Sequence, residues 1–155
     1  MSGSPVQPTH GSYLLPHFEH ATVADAMHPG ILSCDPDATL TEVARMMSTH
    51  HVHCIVVIGG TEGGSGEARL RGIVSDLDVL RAGMRADDEE TAATLAAKPM
   101  KPMVTVETTM PLRSAAEQML EHGASHAVVI NPDGRRPIGI LSTLDIAGVL
   151  AWGEL

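Results

Sequence analysis

The pattern Gly72-Ile-Val-Ser-Asp-Leu-Asp-Val79 returns near the end of the chain as Gly139-Ile-Leu-Ser-Thr-Leu-Asp-Ile146. A motif used twice divides the chain into two similar halves, and each half must then fold the same way. In both copies an apolar, β-branched run ends in a serine, an aspartate follows three residues later, and a second apolar stretch begins. That layout is a strand running into a helix N-terminus, with serine placed as N-cap and aspartate at the third helical position. With 155 residues in all, neither half has enough chain to bury a sheet well. The two are expected to pack together about a pseudo-two-fold axis.

The correspondence extends upstream of the motif. Leu40, Val43, Ala44 and Met47 fall on one helical face, and Leu112, Ala115, Ala116 and Met119 repeat it. Thr39 and Glu42 have capping-box spacing and mark where the first of these helices starts. The run Cys54 to Ile58 suits a buried strand, and Val128-Val-Ile130 matches Val56-Val-Ile58. Leu70 to Ser75 and Pro137 to Ser142 are the strands expected to return as hairpins, through the loop Gly59 to Glu67 and the turn Asn131-Pro-Asp-Gly134. Leu77, Val79 and Leu80 carry the first half on into a helix to about Ala82.

Ile31 to Cys34 and Met103 to Val106 read as the first strand of each half. Short helices precede them at Thr22 to Met27 and Thr91 to Ala97, stopped by Pro29 and Pro99. The acidic run Asp87 to Glu90 reads as a solvated helix start. Each half is therefore helix, strand, helix, strand, strand, helix, an α/β (α+β) arrangement. The expected organisation is a flexible leader at 1–20, a first repeat at 21–86, and a connector with the second repeat at 87–155. Within the leader, Tyr13-Leu-Leu15 and Phe18 are the residues able to dock on the folded body.

Hydrophobic residues make up 43% of the chain and aromatic residues 2%, so the core is aliphatic, with nine methionines to fill irregular gaps. A formal net charge of -9 argues against nucleic acid or anionic membranes as partners, since both attract clustered Lys and Arg. No apolar run reaches the length of a membrane span and the N-terminus has no signal pattern, so a cytoplasmic address is expected. Cys34 and Cys54 fit two reduced, buried thiols.

Other candidate chemistry is thin. His50-His-Val-His-Cys54 collects metal-capable side chains, but its spacing leaves a closed site dependent on groups from elsewhere, so solvent-facing histidines at a helix end are expected. The glycine loop lacks the Gly-Lys-Ser/Thr ending of a phosphate cradle and does not lead into a helix. No Gly-x-Ser-x-Gly nucleophile elbow occurs. The expectation is a protein that is not an enzyme, with no catalytic residue and no metal site.

From about Ala21 to Leu150 the chain resembles a tandem CBS-domain pair, or Bateman module, on the two Gly-Ile-x-Ser-x-Leu-Asp motifs, the duplicated stripes and the paired Val-Val-Ile strands. The resemblance implies a stand-alone regulatory module that binds adenosine-containing ligands (AMP, ADP, ATP or S-adenosylmethionine) in clefts between the paired repeats. It further implies a disk-like homodimer, and signalling by conformational or assembly change to an unidentified effector protein. An adenine nucleotide would be the regulatory ligand, with no cofactor otherwise required.

The chemistry of such a ligand suits these residues. Asp78 and Asp145 can each accept from ribose hydroxyls, and Ser75 and Ser142 stand where a helix N-terminus receives phosphate, with Asp76 and Thr143 beside them. Ile31, Leu32, Ile55 and Val56 in one half, and Val104, Ala127 and Val128 in the other, are the apolar residues available to a base. Nucleotide-binding relatives often carry an arginine just before the aspartate, where this chain has Leu77 and Leu144, which favours AMP. His53 and His126, at the entry to the second strand, and Arg71 and Arg81 are the substitutes for that arginine. Two further readings stay open: a ligand-free dimerisation module whose Ser-x-x-Asp motifs are only helix caps, and a metal- or redox-responsive protein using Cys34, His51, His53 and Cys54.

Overall fold

The computed structural model describes residues 17–59, 69–85, 96, 100–101, 103–133 and 136–153. The leader as far as residue 16, most of the glycine loop, the acidic run and the alanine-rich helix apart from Ala96 lie outside the described residues. The chain divides into two compact units, one made of Ile31–Met103 and the other of Met1–Gly30 with Val104–Leu155. These units differ from the two stretches of sequence repeat, because residues 21–30, the start of the first repeat, fold with the second.

In the Ile31–Met103 unit, β2 (Ser33–Cys34) leads into α2 (Leu40–His50), β3 (Cys54–Ile58), β4 (Leu70–Ser75) and α3 (Asp76–Arg85). The sheet order is β2-β3-β4, with β2 parallel and β4 antiparallel to β3. Helix α2 starts at Thr39, whose Oγ1 accepts from the Glu42 N–H at 3.2 Å while Glu42 Oε2 accepts from the Thr39 N–H at 2.9 Å. It ends at His51 in the left-handed region, with φ 53°. Leu40, Val43 and Met47 point inward from this helix and pack with Ile55, Val57, Val74 and Ala96, while Ala44 is only half-buried. Every residue from Cys54 to Val57 is buried, as a central strand covered on both faces requires. Helix α3 runs past the expected Ala82 to Arg85: Gly83 weakens a helix but does not end one. Cys34 is half-buried, because β2 is a two-residue strand at a sheet edge; Cys54, on the central strand, is buried.

The other unit holds α1 (Val23–Ala26) and β1 (His28–Pro29), then β5 (Val104–Glu107), α4 (Leu112–Glu121), β6 (His126–Ile130), β7 (Pro137–Ser142) and α5 (Thr143–Trp152). Its sheet order is β1-β7-β6-β5. Leu112, Ala115 and Met119 from α4 meet Val23, Val106, Ala127, Val129, Leu141 and Ile146 in one core. Helix α1 is a single turn capped by Thr22 and Asp25. It is anchored by hydrogen bonds from the N–H groups of Val23 to Met110 O and of Leu112 to Ala21 O, both 2.9 Å.

Each sheet is finished by a short segment lying against the hairpin strand that carries the repeated motif. His28 pairs with Ile140 and Pro29 with Gly139; in the other unit Lys101 bridges Ile73. This close approach accounts for both motif glycines. A Cβ on Gly139 would stand 2.5 Å from His28 O, and one on Gly72 would stand 2.6 Å from Lys101 O.

Candidate functional site

The strand-to-helix junctions form as the repeated motif demands. Ser75 ends β4, its Oγ accepts from the Asp78 N–H at 3.2 Å, and Asp78 Oδ2 accepts from both the Ser75 N–H (3.0 Å) and its hydroxyl (2.9 Å). Ser142 caps α5 in the same way, accepting from the Asp145 N–H at 3.1 Å while Asp145 Oδ2 accepts from the Ser142 N–H at 2.8 Å. Both motifs are thus working helix caps.

Each aspartate also has a basic partner supplied by the segment that finishes its sheet. Lys101 Nζ lies 3.1 Å from Asp78 Oδ1, and His28 Nε2 lies 2.7 Å from Asp145 Oδ1. The close strand contact at Gly72 or Gly139 is what brings these side chains within reach. Asp78 is the buried charged residue among the described residues, at 5% exposure. Burial alone would raise its pKa; the two bonds from Ser75 and the Lys101 ammonium outweigh that and hold it below the ordinary value of 3.8.

His28 and Lys101 were not among the residues singled out from sequence. A signal existed, since Met27-His28-Pro29 and Met100-Lys101-Pro102 are matching tripeptides that both stand shortly before the first strand of a half. Reading them required knowing which sheet edge each one joins.

The other expected site residues are spread around these junctions. Asp76 and Thr143 open their helices with backbone bonds to His53 O (2.9 Å) and Ser125 O (3.0 Å). His53 is exposed and its Nδ1 lies 2.8 Å from Asp76 Oδ2. His126 is half-buried beside Ser125 Oγ at 2.9 Å. Ile55 and Val104 belong to the two hydrophobic cores, Val128 is buried, and Ile31 is half-buried. Arg71, Arg81, Leu77 and Leu144 are exposed.

The histidine run is arranged as a helix terminus, with His50, His51 and His53 all exposed. Among the described residues no group of three or more His, Cys, Asp or Glu side chains is close enough to hold a metal ion. Burial, then the charge of Asp76, pushes the Cys54 thiol up to about 11, so it stays protonated at neutral pH and is a poor nucleophile. Burial, with Asp35 and Glu42, raises Cys34 as well.

Hypoxic response protein 1 of Mycobacterium tuberculosis (strain ATCC 25618 / H37Rv) is 25% identical over 126 residues, covering 81% of this chain and 82% of its own. A crystal structure of hypoxic response protein I with two coordinated zinc ions superposes with a TM-score of 0.64 at 24% identity, over 82% of this chain and 97% of that one. A CBS domain protein from Pyrobaculum aerophilum, solved in complex with AMP, gives a TM-score of 0.67 at 28% identity, over 84% and 98% of the two chains. The CBS domain model matches residues 23–85 and again 95–151. With two such segments, and with the mixed α/β fold of CBS domain pairs, the chain belongs to the CBS domain family.

Proposed function

We propose that this protein is a regulatory module that binds an adenosine-containing nucleotide at its Ser-x-x-Asp junctions and signals by a change of conformation or assembly. The observation that carries the reading is the pair of carboxylates, Asp78 and Asp145, each held at a serine-capped helix start by the serine N–H, with the Ser75 hydroxyl donating to Asp78 as well. A carboxylate so placed accepts from ribose hydroxyls, and the adjoining helix N-terminus favours phosphate. The AMP complex of the Pyrobaculum aerophilum protein, 28% identical, supports the same ligand class. AMP stands ahead of ADP, ATP and S-adenosylmethionine, since Leu77 and Leu144 offer no charge to further phosphates. The ligand acts only through different affinities for the arrangements it selects.

In this reading the protein has no catalytic step of its own, works in the cytoplasm, and passes its signal to a separate effector. The described residues contain no helix long and apolar enough to cross a membrane. Leu77, Leu80 and Met84 on α3, with Leu144, Leu150 and Trp152 on α5, are large apolar side chains left exposed. Such surface favours burial against a second copy in a homodimer.

A second reading is favoured by the cap bonds themselves: both motifs stabilise their helices without any ligand, by about 1 kcal/mol each, and would serve a ligand-free dimerisation module equally well. Calorimetric titration of nucleotide-free protein with AMP, ADP, ATP and S-adenosylmethionine separates the two. Micromolar binding of any of them supports the regulatory reading; no binding below millimolar concentration of all four leaves the dimerisation module.

A further inference from the structure

The tripeptides Met27-His28-Pro29 and Met100-Lys101-Pro102 stand at matching places in the two halves, yet they differ in the side chain that reaches an aspartate. His28 Nε2 lies 2.7 Å from Asp145 Oδ1, and Lys101 Nζ lies 3.1 Å from Asp78 Oδ1. A lysine ammonium keeps its charge throughout the neutral range. An imidazole changes charge between about pH 5 and 8. The same fastening is therefore permanent in one unit and conditional in the other.

The segment that His28 fastens is held by little else. In β1, His28 pairs with Ile140 and Pro29 with Gly139 at the edge of β7, and Pro29 has no N–H to donate. The next bond is from the Gly30 N–H to Ile138 O, at 2.7 Å. His28, Pro29 and Gly30 are all exposed. Gly30 has φ 84°, a conformation that favours glycine, and the chain then enters the other unit. The charged surroundings of His28 are equally spare. Between Pro137 and Ser142, β7 has no titratable side chain, and α5 brings only Asp145. Asp25 of α1 is engaged elsewhere, its Oδ2 accepting from the Thr22 N–H at 2.8 Å and hydroxyl at 3.1 Å. Among the described residues Asp145 is thus the ion-pair partner of His28. An imidazolium gives that carboxylate a charge-assisted hydrogen bond; a neutral ring gives at best a weaker one, and from one tautomer only.

We propose that β1 is a pH-dependent strap: protonated His28 holds it on β7 through Asp145, and loss of that proton loosens it, while the Lys101 segment stays fastened. The hold is strongest on the acid side of the imidazole range and weakens as pH rises through it. Opening uncovers the edge of β7 and frees Asp145 Oδ1, so one change of pH acts on the two repeats unequally. Nucleotide binding is not required for this device. Because the His28 side chain is 76% exposed, the change in the opening equilibrium is modest, about 3- to 5-fold.

Native-state hydrogen exchange of the full chain at about pH 5.5 and about pH 7.5 tests this, with each amide rate corrected for the intrinsic effect of pH. The Gly30 N–H reports on β1, and the Lys101 N–H, bonded to Ile73 O at 3.0 Å, reports on the other segment. Protection at Gly30 is expected to fall about 3- to 5-fold from the lower pH to the higher, with Lys101 changing less than about 2-fold. His28→Lys is expected to keep Gly30 at its acid-side protection at both pH values. An unchanged Gly30 amide, an equal fall at both amides, or a fall that persists in His28→Lys overturns the proposal. The comparison of the two amides uses the unmutated chain, so it decides the matter even where the variant folds poorly.

Discussion

Replacing Gly139 by alanine sets two physical effects against each other. Glycine inside a strand is weaker than alanine by roughly 0.5–1 kcal/mol through backbone entropy, so propensity alone predicts that Gly139→Ala stabilises. The structure predicts the opposite sign. The new Cβ would lie 2.5 Å from His28 O, with the carbonyl carbon of His28 and Met27 Sδ each at 3.4 Å. An unstrained C···O approach is about 3.3 Å, so backbone on one side or the other must retreat by roughly 0.8 Å. The segment that yields is β1, paired with β7 only through His28↔Ile140 and Pro29↔Gly139 and followed by the 2.7 Å bond from Gly30 N–H to Ile138 O. Losing one to three such bonds at about 1 kcal/mol each gives a destabilisation of about 1–3 kcal/mol, the range found for overpacked positions.

For a chain of this length that is a fall of roughly 2–12 °C in melting temperature. Gly148 is the matched control in the same unit. It lies within α5 and has nothing within 4 Å of an added Cβ, so Gly148→Ala is expected to raise the melting temperature by roughly 1–4 °C. Thermal unfolding followed by far-UV circular dichroism reads both. The reasoning is refuted if Gly139→Ala melts at or above the unmodified protein, or if the two variants shift in the same direction.

Three further outcomes are expected. Leu40→Ala removes a side chain with 0% exposure and should destabilise by about 2–5 kcal/mol, whereas Thr39→Ala, which removes only the α2 cap, should cost about 1 kcal/mol; urea midpoints that fail to rank the pair in this order would contradict the packing described. The folded-state pKa of Asp78 lies below 3.8, so its ionised form stabilises the fold above the unfolded pKa, and that stability is lost as pH falls through the folded value. Urea denaturation across the acid range should show the gap between the unmodified protein and Asp78→Asn wide at neutral pH and closing below about pH 4; a pH-independent gap would remove the charge from the account. Finally, Leu80→Glu combined with Met84→Glu, both on exposed positions of α3, should shift sedimentation from dimer to monomer with the circular dichroism spectrum preserved, and an unchanged sedimentation coefficient would count against a dimer built on that face.

Local pattern was enough to read the elements that depend on local pattern. The Leu40, Val43 and Met47 stripe, the Thr39–Glu42 box, the β-branched strands and both serine caps are interactions among residues a few positions apart, and their periodicity is legible because a helix or strand repeats it. The duplication followed in the same way, as did the assignment of Asp78 and Asp145 to helix starts. Equal motifs predicted equal sites, however, and the partners that make the two differ stand far away in the chain. His28 reaches Asp145 and Lys101 reaches Asp78 because β1 and the Lys101 bridge each join the edge of a motif strand. A bridge of one or two residues has too few side chains to carry a hydrophobic period, so nothing in its own composition says which edge it completes. Main-chain hydrogen bonding and the space left by a missing Cβ select that pairing, and both exist only once the sheets are assembled.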